Sequence, residues 1–206
     1  MSGRRQARID RRLLYTVSGE LGAEAELVDA ALGDDIVLAG TGISLDKSIL
    51  NRSTILHAEG LRLHDCQLTA VDAAGAPMER ASWRECEIVD SRFTGAKLNE
   101  AHLGGVLLRA CKMNLVQCQS SKLRCSRFEG CDLRDAYFNG SDLTGTVFEG
   151  SVLTGADFSG AVLAGCDFRR AIIENVRIAP EQLGGVIVTS DQALYLTRLF
   201  GLDIRE

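Results

Sequence analysis

Seven cysteines and three histidines are the side chains of this 206-residue sequence best suited to metal or redox chemistry. The cysteines form no CxxC pair, so their spacing favours neither a zinc site nor a disulfide framework. No grouping of Ser, His and Asp suggests a nucleophilic triad. The sequence GTGISL at Gly40–Leu45 lacks the third glycine and the following helix of a phosphate-binding loop, so it is interpreted as a turn. The sequence therefore predicts no enzyme, no cofactor and no bound metal.

The composition predicts a globular, cytoplasmic protein. Hydrophobic residues make up 46% of the chain, and the net charge of −5 argues against direct nucleic-acid binding. No apolar run approaches the roughly 20 residues of a membrane span. The N-terminus is rich in arginine but lacks the apolar stretch of a signal peptide. Glycine is abundant at 21 residues and proline is scarce at 2, which is typical of a chain that turns tightly and often.

A period of five residues dominates the sequence. From Leu63 to Ile178 every fifth residue is apolar, and from Cys66 to Val176 the residue two places earlier is Ala, Cys, Ser, Thr or Val. Many glycines fall two places after the large apolar residue. This period fits neither a helix nor a long strand, but it fits a short extended side followed by a sharp corner. Four such sides make a coil of twenty residues, and successive coils stack about 4.8 Å apart.

The aromatic residues follow the period of twenty. Phe128, Phe148 and Phe168 are expected to form one stack, and Phe138 and Phe158 the opposite one. The fold class is therefore all-β, a right-handed quadrilateral β-helix with a filled interior.

The period of five also predicts which cysteines and histidines face inwards and which face outwards. Six cysteines fall on inward positions, where free cysteine behaves as a small hydrophobic residue. Cys66/Cys86 and Cys111/Cys131 are stacking neighbours, the only pairs whose spacing permits a bridge. His64 and His102 fall on outward positions about 10 Å apart, too far to share a metal.

Segments such as SDLTG, ADFSG and CDLRD resemble the A(D/N)LXX consensus of the pentapeptide-repeat family. The resemblance covers residues 61–178 without interruption. Degenerate coils extend the expected solenoid to 36–178, with about three extra residues bulging near Leu56–Gly60. Residues 1–35 show no clear period and are expected to form a cap or irregular segment. Residues 179–206 are expected to cap the other end.

The C-terminal segment LGGVIVTSDQALYLTRLFGL predicts a short strand and then a helix over about Asp191–Phe200, with Ser190 as N-cap and Gly201 as its stop. It resembles the end of the mycobacterial fluoroquinolone-resistance pentapeptide protein and of the Qnr proteins. In those relatives this segment forms a symmetric dimer, so the resemblance implies a homodimer. The expected interface residues are Ala193, Leu196, Leu199 and Phe200.

Charge is unevenly distributed along the repeats. Residues 92–127 carry seven basic side chains against one acid, and residues 129–167 carry seven acids against one arginine. Two interpretations remain open: a solvated surface with pairing between neighbours, such as Arg109 over Glu129, or an acidic surface that replaces the DNA backbone in a protein groove. If the acidic surface replaces DNA, the expected partner-binding residues are Glu129, Asp132, Asp135, Asp142, Glu149, Asp157 and Asp167.

The resemblance to the quinolone-resistance proteins implies DNA gyrase, or another type II topoisomerase, as the partner. The chain would then be a DNA mimic that inhibits the enzyme or protects it from a drug or toxin. The alternative is a generic protein-interaction scaffold, because the fold alone does not determine function. Two features count against the mimic. From Ile36 to Val176 the solenoid carries 17 acids and 15 bases, so it is only weakly acidic. Its uninterrupted frame leaves no room for the projecting loops of Qnr proteins, which counts against drug protection more than against gyrase binding.

Overall fold

The computed structural model describes residues 15–17 and 19–203. Its regular structure consists of strands of two to four residues, one 3-10 helix and one α-helix. The strands are β1 (Tyr15–Val17), β2 (Glu20–Leu21), β3 (Glu26–Val28), β4 (Ala30–Leu32), β5 (Val37–Ala39), β6 (Ser44–Asp46), β7 (Ile49–Asn51), β8 (Thr54–His57), β9 (Arg62–His64), β10 (Gln67–Thr69), β11 (Ser82–Arg84), β12 (Glu87–Val89), β13 (His102–Gly104), β14 (Leu107–Arg109), β15 (Arg127–Glu129) and β16 (Val147–Glu149). The 3-10 helix spans Pro180–Leu183 and α1 spans Ser190–Leu199.

The strands stack in parallel as the sides of a solenoid. One sheet has the order β1-β4-β7-β10-β12-β14-β15-β16, and a second has the order β13-β11-β9-β6-β3. A third side starts with β2, β5 and β8 and continues through single bridges as far as Ile172. Bridges from Pro77 to Arg177 make the fourth side. Phe128 pairs with Phe148, a step of twenty residues, and the predicted quadrilateral β-solenoid with a short C-terminal helix is confirmed.

The first coils are shorter than the later ones. Glu20 pairs with Val37 and Glu26 pairs with Ser44, which are steps of 17 and 18 residues. These strands belong to the same sheets as the later repeats, so the solenoid begins before residue 36. The expected cap or irregular segment is therefore wrong for residues 19–35, and residues 1–14 lie outside the described part of the chain.

Near Leu56–Gly60 the coil is shorter than the coils of twenty residues that follow it. Ile55, Ala58 and Leu63 are all buried on successive sides, so two sides take eight residues instead of ten. The expectation of three extra residues is wrong, because Ala58 occupies an inward position of its own. Leu56 is displaced outwards, and the register of β8 against β5 shifts at this point.

The interior is filled by stacked side chains. The ring centroids of Phe128 and Phe148 lie 5.1 Å apart, those of Phe148 and Phe168 lie 5.3 Å apart, and those of Phe138 and Phe158 lie 5.3 Å apart. The rings within each stack are nearly parallel, whereas the two stacks meet edge to face. The predicted aromatic stacks are confirmed.

Small polar residues in the interior bond to the backbone. Ser121 Oγ donates to the carbonyl of Leu98 at 2.7 Å and accepts from the amide of Ala101 at 3.1 Å. Thr146 Oγ1 donates to the carbonyl of Leu123 at 2.7 Å. These bonds satisfy hydroxyl groups that would otherwise destabilise an apolar core.

The corners use the left-handed backbone conformation. Every fifth residue from Gly60 to Gly165 has a positive φ, and half of these residues are glycine. The other corners are occupied by residues such as Asp135 and Cys125, at a conformational cost of about 1 kcal/mol each. Side chains at these corners point away from the core.

Two glutamines complete the C-terminal end. Gln182 Nε2 donates to the carbonyls of Phe158 and Ala161 at 2.7 and 2.8 Å. Gln192 Nε2 donates to those of Phe168 and Ala171 at 2.6 and 2.9 Å. Each glutamine also accepts a backbone hydrogen bond at the start of its own helix. The last coil therefore has partners for carbonyls at its exposed edge.

Candidate partner-binding surfaces

Because buried side chains fill the interior, a binding site has to lie on the outer surface. An open groove of about 360 Å³ lies beside α1, lined by residues that include Ser159, Arg177, Leu199 and Phe200. Within residues 19–203 no three His, Cys, Asp or Glu side chains are grouped as metal ligands. No helix of the described chain has the length and apolar character needed to cross a membrane.

Arginines neutralise most of the predicted acidic surface. Three pairs form within a single side: Arg134 to Asp132 at 2.6 Å, Arg169 to Asp167 at 2.7 Å and Arg127 to Glu129 at 2.9 Å. The others join successive coils, and they are Arg124–Asp142, Arg177–Asp157, Arg109–Glu129, Arg127–Glu149 and Arg170–Glu149. Among residues 19–203, only Asp135 of the seven predicted carboxylates has no ion pair. This surface is close to charge-balanced, so it is a poor substitute for a DNA backbone.

The aspartates of this surface also stabilise the corners. Asp132, Asp142, Asp157 and Asp167 each accept a hydrogen bond from the backbone N–H two residues later, at 2.9–3.3 Å. Such bonds favour tight turns. They explain why aspartate recurs before the large apolar residue of the repeat.

The pKa values of these carboxyls reflect the same contacts. The hydrogen bond from Arg124 lowers the pKa of Asp142 to about 2, against the opposing effect of burial. Arg134 and Arg169 likewise lower the pKa of Asp132 and Asp167. Burial raises the pKa of Glu129, but hydrogen bonds from Arg109 and Arg127 outweigh it and the net shift is downward. These carboxylates are held ionised by partners within the chain.

The first coils carry a different acidic surface, which lies outside the two charged segments at residues 92–127 and 129–167. Residues 20–46 contain seven acids and no Lys, Arg or His. Asp34 pairs with Arg52, and Asp46 pairs with Lys47 and His64. The other five have no ion pair within the described residues, and they are Glu20, Glu24, Glu26, Asp29 and Asp35. Their signal in the sequence is the absence of any basic residue between Arg12 and Lys47.

The C-terminal helix has an inner and an outer face. Leu196 is buried against the core, where Phe158, Phe168 and Leu183 line the same small cavity. It therefore caps its own solenoid, and only 6% of its surface is left for the predicted dimer interface. Ala193 and Leu199 are exposed and Phe200 is half-buried. Leu194, Leu199 and Leu202 are 43%, 42% and 61% exposed.

Comparisons with known proteins agree with the repeat. Residues 61–138 match a family model described as "Pentapeptide repeat region", and residues 141–178 match one described as "Pentapeptide repeats (8 copies)". Together the two matches cover more than half of the chain. The chain belongs to the pentapeptide-repeat family. No curated protein sequence matches it.

A solved structure of a pentapeptide-repeat protein shares the fold. A trypsin-treated variant of QnrB1, described as a plasmid-mediated fluoroquinolone resistance protein, aligns with a TM-score of 0.51 and 18% identity over 92% of this chain and 95% of that chain. HetL, involved in heterocyst differentiation regulation in the cyanobacterium Nostoc, aligns with a TM-score of 0.38 and 20% identity over 82% of this chain and 86% of that chain. At these identities the likeness to QnrB1 shows a common solenoid and does not define a common partner.

Proposed function

We propose that this pentapeptide-repeat protein is a non-catalytic, DNA-mimicking binding protein, and that its partner is DNA gyrase or another type II topoisomerase. The family resemblance implies that partner. The charge density of the first coils carries the proposal. Residues 20–46 occupy less than two coils, or less than about 10 Å of solenoid length. Duplex DNA carries about one charge per 1.7 Å, or roughly six over the same length.

The five acids without ion pairs approach that density. Glu20, Glu24 and Glu26 are exposed, and the parallel backbone fixes their spacing. Because the backbone positions are fixed, binding does not have to order a flexible segment of chain. A groove that binds the DNA backbone would therefore meet a similar field at this end of the solenoid.

Inhibition of gyrase supercoiling tests this proposal. The unmodified protein at micromolar concentration should inhibit supercoiling of relaxed plasmid, and the inhibition should weaken as salt rises. Combining Glu20→Lys, Glu24→Lys and Glu26→Lys should weaken inhibition at least tenfold because the acidic surface is lost.

The matched control changes the same net charge elsewhere. Glu85→Lys, Glu100→Lys and Glu174→Lys reverse three exposed acids outside the first coils, so inhibition should persist. Equal loss in both triple variants would contradict a defined acidic contact. A protein that does not affect gyrase at all would leave the scaffold function, which the charge balance of the later coils favours.

We also propose that the protein is a homodimer through its C-terminal end. Leu194, Leu199 and Leu202 expose apolar surface on the outer side of α1 and just beyond it. The groove beside Leu199 and Phe200 adds to this surface. Exposed apolar surface beside a groove favours contact with a second protein surface.

A further inference from the structure

Two pairs of buried cysteines lie on successive coils. Cys66 and Cys86 share one inward column, and Cys111 and Cys131 share the neighbouring one. Each pair is in register across parallel backbone: the amide of Glu87 donates to the carbonyl of Cys66 at 2.9 Å, and the amide of Asp132 donates to that of Cys111 at 3.0 Å. Neighbouring parallel strands lie about 4.8 Å apart, within the 4.4–6.8 Å range of Cα separations in disulfides.

The thiols within each pair are neighbours on successive coils, and each also donates to a backbone carbonyl: Cys66 to His64, Cys86 to Arg84, Cys111 to Arg109 and Cys131 to Glu129. The neighbouring thiol lowers the pKa of Cys66 and raises that of Cys86. The same proximity lowers the pKa of Cys111 and raises that of Cys131. By contrast, burial raises the pKa of Cys118 and Cys166 to about 12. Each pair thus joins a more acidic thiol to an adjacent less acidic one.

We propose that Cys66–Cys86 and Cys111–Cys131 are redox-active pairs that a hydroperoxide converts into disulfides joining successive coils. The thiolate of Cys66 attacks the peroxide oxygen, so an S–O bond forms and the O–O bond breaks. The leaving oxygen takes up a proton and departs as water or an alcohol. The sulfur of Cys86 then attacks that of Cys66, the S–S bond forms, the S–O bond breaks and water leaves. The pair loses two electrons and two protons in total, and Cys111 and Cys131 react in the same way.

Oxidation suits this environment better than binding of a soft metal ion. A monovalent ion held by two thiolates would leave a net negative charge in the apolar interior, which carries a large desolvation cost. A disulfide is neutral. Because Cys66 and Cys86 are only 1% and 2% exposed, oxidant reaches them by local opening of the coil. The adjacent thiol then traps the sulfenic acid before further oxidation.

Mass spectrometry and thermal melting test the proposal. The Cys125→Ser protein removes the exposed thiol, so exchange between molecules does not interfere. After hydrogen peroxide treatment, unfolding and alkylation, four of the six remaining thiols should resist alkylation. Trypsin separates the members of each pair, so bridged peptides identify Cys66–Cys86 and Cys111–Cys131. Closing each loop should raise Tm by about 5 °C, and dithiothreitol should reverse the rise.

Serine variants provide the matched controls. The column of Cys66 and Cys86 also holds buried Ser48 and Ser126, whose hydroxyls bond to the backbone, so Cys66→Ser with Cys86→Ser is compatible with the fold. That variant should lose the first bridge and keep the second. Full alkylation of all six thiols, under conditions that fully oxidise Cys125 in the parent, would overturn the proposal. Bridges between other cysteines would also overturn it.

Discussion

Asp142 shows how a surface carboxylate is used within a pentapeptide repeat. Its side chain accepts from the backbone N–H of Thr144 at 3.1 Å and from Thr144 Oγ1 at 2.7 Å. Arg124 of the preceding coil donates to the same carboxylate. The residue therefore stabilises a corner and joins two coils, and this dual role leaves little of its charge for a partner.

Replacement of Asp142 should change the dependence of stability on pH. Because its pKa is lowered from 3.8 to about 2 in the folded protein, ionised Asp142 stabilises the fold above about pH 4, and that contribution is lost as pH falls towards 2. Asp142→Asn keeps the turn acceptor but removes the charge. The variant should be about 1 kcal/mol less stable at pH 7. Denaturant unfolding should show this difference shrinking to near zero at pH 2, and a constant difference over the whole range would contradict this role.

Gly40 is required by the tightness of the first coils. An added Cβ would lie 2.7 Å from Ala23 Cα and closer still to the amide nitrogen of Ala23. Gly40→Ala should therefore destabilise the protein by about 1–3 kcal/mol because backbone must move. Gly33→Ala is the matched control, since its Cβ would meet nothing within 4 Å. Equal unfolding midpoints for the two variants would show that the short coils are not packed as described.

At the residue scale, the sequence predicted inward side chains well and outward ones less well. The stacks of Phe128 with Phe148 and of Phe138 with Phe158 follow from a period of five that any inward position must obey. The predicted pairing of Arg109 with Glu129 is also confirmed at 3.1 Å. Counting charges along the chain nevertheless wrongly predicted an unpaired acidic surface at residues 129–167. Most partners of its acids lie 18–22 residues away in the sequence, on a neighbouring coil.

The C-terminal end of the solenoid depends on Gln192. Gln192→Glu keeps an acceptor for the backbone N–H of Thr189 but loses the amide donor to Phe168 and Ala171. The carboxylate would instead face two carbonyl oxygens. We expect a loss of about 1–3 kcal/mol in unfolding free energy. Ser190→Ala, at an exposed position of the same helix, should cost less than half as much. Equivalent losses would mean that the helix, and not the solenoid edge, requires the glutamine.

The two faces of α1 should separate stability from assembly. Leu199→Glu should convert a dimer into a folded monomer, because Leu199 is exposed and lies beside the surface groove. Leu196→Glu should lower Tm, because Leu196 is buried against the solenoid core. Light scattering at micromolar concentration and thermal melting measure the two effects. A parent protein that is already monomeric at that concentration would rule out the dimer.

The helix itself was largely predictable. The sequence placed it at about Asp191–Phe200, and it spans Ser190–Leu199 with Thr189 as the N-cap. Gly201 adopts a positive φ just beyond its end, as expected of a stop residue. The apolar stripe did not indicate which residues face inwards, because both the solenoid end and a second subunit are apolar surfaces. In the structure Leu196 packs into the core of its own solenoid, so its side of the helix faces inwards.

The whole molecule is a longer solenoid than the five-residue period indicated. The first coils repeat after 17 or 18 residues, so their apolar residues fall out of the period of the later coils. Assigning residues 1–35 to a cap concealed the acidic surface that β2 and β3 help to form. In the later coils, where the sequence predicted an acidic surface, arginines instead balance the charge of the carboxylates. Within residues 19–203 the molecule therefore has acidic first coils, charge-paired later coils and exposed apolar residues at its C-terminal end.

Competition between this protein and DNA for gyrase tests the central proposal most directly. A fluorescently labelled duplex bound to purified gyrase reports its release as a fall in anisotropy. We expect the unmodified protein to displace the duplex, and the combined Glu20→Lys, Glu24→Lys and Glu26→Lys variant to do so at least tenfold less well. If gyrase binds the protein and the duplex at the same time, or if the triple variant competes as well as the parent, the acidic first coils do not act as a DNA mimic.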